Sequence, residues 1–124
     1  MQYGAYRVAL TAATVTTGGA VAAIANPEGA DVLITRVVIH TTTKSTGAAN
    51  LDVGVAANAT TSADTLLDGV DVGTAVGVFD NIDDKGSNGQ SCLKWGSSEY
   101  VTATASATVA GLVGYIYIEY LRTA

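Results

Sequence analysis

Nucleophiles, general bases and metal ligands come from few side-chain types, and this chain holds one histidine, His40, and one cysteine, Cys92. A zinc centre draws on three or four His, Cys or carboxylate ligands, and a single imidazole with a single thiol does not supply them. His40 follows Arg36 and Val38 at alternate positions of an apolar run, the setting of a structural or interface histidine. Cys92 reads as a small buried hydrophobe, and one cysteine forms no internal disulfide. Asp80, Asp83 and Asp84 gather beside Asn81, an oxygen-rich group of the kind a hard cation takes. Their spacing departs from the EF-hand pattern and Lys85 interrupts it, so the Asp80 to Gln90 segment reads as a long solvated loop. Asp64, Asp68 and Asp71 form a second acidic series, read the same way. Hydrolase elbows and phosphate-binding glycine loops are missing from the sequence. Neither an enzyme nor a cofactor is expected. The Asn58-Ala59-Thr60 sequon is expected to be accidental, because no secretory signal is recognisable ahead of it.

The aromatic residues are more informative. Tyr3 and Tyr6 stand near the start, Trp95 and Tyr100 later, and Tyr115, Tyr117 and Tyr120 near the end. In an extended strand Tyr115 and Tyr117 project opposite Ile116 and Ile118, so one pair leaves the core that the other enters. Outward tyrosines suit protein interfaces and sugar-stacking surfaces alike. Tyr3, Tyr6, Arg36, His40, Tyr115 and Tyr117 are therefore the candidate interface residues.

The elements that position them are strands. The chain has 124 residues, 48% hydrophobic and only 14% charged, with 14 glycines and abundant Ala, Thr and Val. That is one domain's length and a composition suited to β-structure. Alternation marks strands at Ala5 to Leu10 (continuing toward Thr17), Val21 to Ala25, Asp31 to Thr43, Leu51 to Ala57, Val76 to Phe79, Cys92 to Trp95, Tyr100 to Val109 and Leu112 to Leu121. Between Asn58 and Gly77 the pattern loosens, and Ser62 to Leu67 fits one helical turn capped by Ser62. The spacing implies an all-β, jelly-roll-like antiparallel β-sandwich of about eight strands, with jelly-roll and immunoglobulin-like connections both open. Residues 1–6 are assigned to an N-terminal arm and 7–124 to the sandwich.

Asp31 to Thr43 looks apolar on both faces, with Leu33, Val37 and Ile39 opposing Val32, Ile34 and Val38, which implies cover on both sides, as from a neighbouring subunit. The Ala103, Ala105, Ala107 row permits close approach by another sheet or by a subunit. A net charge of −5 argues against binding nucleic acid or anionic membranes. The uncharged stretch Val8 to Asn26 is interrupted by Thr and Gly, which argues against a membrane span.

The phrases "DVLITRVVIHTTTKSTGAANLDVGVAANATTSADTLLDG", "DVGTAVGVFDNIDDKGSNGQ" and "YVTATASATVAGLVGYIYIEYL" resemble small structural proteins of tailed bacteriophages, above all capsid decoration (cement) proteins with a jelly-roll core. The resemblance implies a homotrimer made in the host cytoplasm and seated on the capsid exterior, where it stabilises the lattice of the major capsid protein. It also implies an N-terminal arm reaching the shell, here Met1 to Tyr6. The competing expectation is a carbohydrate-binding or receptor-binding module of a phage tail or fibre, with Trp95 and the tyrosines as stacking platforms.

Overall fold

Alternating apolar and polar side chains make one-sided strands, and such strands bury their apolar sides by facing a second sheet. A computed structural model describes residues 3–11 and 20–123, which form nine strands in two antiparallel sheets and no helix. The strands are β1 (Tyr3–Ala9), β2 (Ala20–Ala25), β3 (Val32–Thr43), β4 (Asn50–Ala56), β5 (Leu67–Asp71), β6 (Val78–Asp80), β7 (Leu93–Trp95), β8 (Tyr100–Ala105) and β9 (Val113–Arg122). One sheet runs β1-β9-β3-β6, with β7 on the same side of β3 at its other end; the second runs β2-β8-β4-β5. β6 and β7 thus share a single edge position, so nine strands fill the eight places of a jelly-roll-like sandwich. Because β1 and β2 lie in different sheets, the immunoglobulin order, which keeps its first two strands together, does not apply.

The core between the sheets holds Ile34, Val37, Ile39, Leu51, Val53, Trp95, Val101, Ile116 and Ile118, all nearly or fully removed from solvent. Each contributes on the order of 1.5–3 kcal/mol by burial. Ala103 and Ala105 also face this core, so the small-residue row serves close packing of the two sheets.

The two apolar faces of β3 have a local cause. Its pairing with β9 slips between Ile34 and Arg36, leaving Thr35 as the extra residue of a bulge. The bulge shifts the phase by one, so Val32, Ile34, Val37 and Ile39 all point inward and only Leu33 and Val38 remain as apolar residues outside, half-buried. No subunit is needed to cover a second apolar face.

Other expectations are corrected as well. Ser62 to Leu67 is not helical: the chain there folds over β4, where the backbone of Gly54 lies against Ala63 and Thr65 and Val55 donates its N–H to Thr65 Oγ1 (3.2 Å). The loose stretch contains a strand, β5, and β8 ends at Ala105 where Val109 was expected. Cys92 is exposed, because it precedes β7 at a bend outside the sheet pairing. The expected continuation toward Thr17 lies outside the described residues beyond position 11. Tyr3 to Tyr6, assigned from sequence to an arm, are strand residues of β1 paired with β9 from Leu121 to Ile118.

Candidate functional site: the outward face of the five-stranded sheet

Directly paired residues of antiparallel strands project to the same side. The register therefore aligns three rows on the outward face: Ala5, Glu119 and Arg36; Arg7, Tyr117 and Val38; Ala9, Tyr115 and His40. Tyr3, paired with Leu121, joins this face and is 60% exposed, while Tyr6 pairs with Ile118 and belongs to the inward side at its margin. Of the six interface candidates, Tyr3, Arg36, His40, Tyr115 and Tyr117 thus share one surface.

Its electrostatics are arranged in pairs. The Arg7 guanidinium leans diagonally over the Tyr115 ring, 4.8 Å from its centroid, and Tyr115 and Tyr117 stand 6.3 Å apart. Arg36 Nη2 donates to Asp80 Oδ2 at 2.7 Å, and Thr35 Oγ1 donates to Glu119 Oε1 at 2.9 Å. Between these pairs lies an open concavity of about 360 Å³ lined by Ala5, Tyr6, Arg7, Arg36, Val38, Tyr117, Ile118 and Glu119. Val78, paired with His40, extends the apolar part of the face and is 62% exposed. Arg7 and Val78 were not singled out by sequence reasoning, because their membership depends on which strands pair; Val38 shares the side of Arg36 and His40 by alternation within β3.

The acidic residues do different work. Asp80 Oδ1 accepts from the N–H groups of Asp83 (2.8 Å) and Ile82 (2.9 Å). Those two bonds, the Asp83 one foremost, and Arg36 hold its carboxyl below the usual aspartate range. Asp84 Oδ2 accepts from Asp80 N, and Asp71 from Gly73 N, Thr74 N and Thr74 Oγ1. The Thr74 hydroxyl and the Gly73 N–H lower the pKa of Asp71. Asp52 goes the other way: partial burial raises its pKa, assisted by Asp68 and Asp64 and opposed by the Gly69 N–H. From Ile82 to Gln90 the segment is the exposed loop its composition implies, while Asp80, which ends β6, and Asn81 are buried. The two acidic series meet at a second concavity of about 410 Å³, where Asp68 and Asp71 face Asp83 and Asp84. Among the described residues no group of three or more His, Cys, Asp or Glu is placed to hold a metal ion.

Trp95 offers no stacking face. It is fully buried, donates Nε1–H to the Glu99 carbonyl (3.0 Å) and packs edge-on against Tyr120, with centroids 6.2 Å apart. Tyr120 in turn donates its hydroxyl proton to Glu28 Oε2 (2.6 Å), and Arg122 Nε donates to Glu28 Oε1 (3.0 Å). These bonds, that of Arg122 foremost, lower the Glu28 pKa.

The chain matches no protein-family model, no curated protein and no solved structure.

Proposed function

We propose that this chain is a structural virion protein, a capsid decoration protein that trimerises on the outer surface of a phage head and stabilises the major capsid protein lattice. The observation that carries the reading is the outward face of the five-stranded sheet. It gathers three tyrosines, a histidine, two arginines and exposed valine on one sheet surface, the residue mix enriched at protein interfaces. Asp71, Asp80 and Asp84 accept bonds within their own turns, which fits a scaffold used for binding through surface area. Many weak copies acting together across symmetry-related sites supply the stabilisation. The carbohydrate-binding alternative loses its indole to the core and retains only the tyrosines.

The test is the native mass by light scattering across a dilution series, followed by co-sedimentation with empty phage heads. A species near three times 12.5 kDa that sediments with heads supports the proposal. Tyr117→Glu, on the outward face, is expected to abolish both without unfolding the monomer. A persistent monomer that fails to sediment with heads overturns it.

A further inference from the structure

A sheet edge is a row of unpaired backbone donors and acceptors, and proteins blunt such edges by shortening, bulging or covering them. Three of the four edge positions here are treated in that way. β2 is bulged between Ala20 and Ala22 and is met by the Thr11 N–H, which donates to Val21 O (2.8 Å). β5 is covered by the next loop, with Asp68 N donating to Lys85 O (3.0 Å). β6 and β7 are three residues each, and the chain turns back at once after β6, where Asp84 N donates to Asp80 O (2.9 Å). β1 is unlike them: seven residues in unbroken register with β9, without proline, lysine or bulge. Among the described residues its only backbone bonds are to β9, and the only side chain on them is Arg122, which donates to Tyr3 O.

Two further observations say what would pair with it. Arg7 projects from β1 onto the outward face and, among the described residues, makes no ion pair; its guanidinium rests on Tyr115 alone. Beside Arg7 the small Ala5 opens onto the concavity floored by Tyr117 and Val38.

We propose that the free edge of β1 is a strand-addition site for an extended acidic-aliphatic segment of a partner protein, with a carboxylate opposite Arg7 and an aliphatic side chain over Ala5. Backbone bonds along Tyr3 to Ala9 supply the affinity, and the alternation of side chains supplies the selectivity. The carboxylate completes Arg7, the one outward arginine that lacks an acidic partner among the described residues, and the aliphatic group fills the concavity between Arg7 and Arg36. The site belongs to the isolated chain and is independent of any place on a virion.

The experiment titrates the isotope-labelled protein with the palindromic peptide acetyl-TLTETLT-amide, which presents the same side chains in either strand direction. Amide resonances of Tyr3 to Ala9 are expected to shift and their exchange to slow. The peptide with Lys in place of Glu is expected to bind about five-fold more weakly, as suits one partly exposed charge pair. Arg7→Glu, checked for folding by circular dichroism, is expected to reverse that preference. Absence of shifts along β1 at millimolar peptide, shifts confined to other strands, or equal affinity for the two peptides overturns the proposal. Sedimentation with phage heads is a separate readout, so failure there leaves this result standing, and the reverse.

Discussion

Asn81 stands in for a missing piece of strand. Along the second edge of β3, β7 pairs with Val32 to Ile34 and β6 with Val38 to His40, leaving the bulged stretch between them without a strand. Asn81 fills the gap: its N–H donates to Val37 O (3.3 Å), its Oδ1 accepts from Val37 N (2.9 Å), and its Nδ2 donates to Gln90 O (3.0 Å). Asn81 and Val37 are both fully buried, so removing the amide strands a backbone N–H where no water reaches it. Stranding that N–H costs about 2 kcal/mol, and the Gln90 carbonyl, in an exposed residue, about 1 kcal/mol. Asn81→Ala is therefore expected to lose about 3 kcal/mol, a fall of about 1.5 M in the urea midpoint for a chain of this size. Asn81→Leu, which keeps the volume, is expected to lose nearly as much. The assay is urea unfolding followed by far-UV circular dichroism, with Ser87→Ala in an exposed turn as the reference. A loss below about 1 kcal/mol, or rescue by Leu, would show that volume and not the surrogate backbone bonds stabilises this edge.

Three other expectations follow from the geometry. A Cβ at Gly4 would run into Tyr120 Cζ, and that ring is fixed against Trp95. Gly4→Ala is thus expected to cost about 1–3 kcal/mol by overpacking and to change the near-ultraviolet dichroism of Trp95. Glu28, with its pKa lowered chiefly by Arg122, adds stability that is present above its unfolded pKa and lost as pH falls through the folded value. Asp52, raised by burial, has the opposite sign: its cost grows as pH rises through its unfolded and then its folded pKa. In urea midpoints measured from pH 7 to pH 3, Glu28→Gln should flatten the acid loss, and Asp52→Asn should stabilise at pH 7 but not at pH 3. Cys92, exposed and unpaired, is expected to react fully with a thiol reagent in the native state, and Cys92→Ser to leave the urea midpoint unchanged.

Strands with a strict period of two were legible in the sequence: Ile116 and Ile118 fall inside and Tyr115 and Tyr117 outside, and Val101, Ala103 and Ala105 face the core as their alternation requires. Legibility failed wherever the backbone inserts a residue. In β3 the Thr35 bulge made one buried face look like two. In β5 the register shifts opposite Leu51 and Asp52, and Gly69 adopts a positive φ of 83°, so Leu67 and Val70 sit three apart yet both point inward. Periodicity counts residues, and a bulge changes the count without changing the face. Trp95 failed differently, since a three-residue strand carries no period and only its pairing beside Val32 sends the indole inward.

The candidate surface was half legible for a related reason. Alternation places Tyr115 and Tyr117 outside, but the neighbours that give them a role come from other strands: Arg7 from β1 and Val38 and His40 from β3. Asp71 and Asp80 show the converse, since they were conspicuous in the sequence and each makes its backbone bonds within its own turn. A carboxylate two or three residues ahead of a backbone N–H caps a turn in an exposed loop, and Asp71 and Asp80 each accept two such bonds. A sandwich built from short strands needs many turns, and aspartate locks a turn where water solvates its charge, as at Asp71, or an arginine pairs with it, as Arg36 does at Asp80. Part of the acidic excess behind the net charge of −5 is therefore turn chemistry, whereas arginine and tyrosine collect on the outward face of the five-stranded sheet.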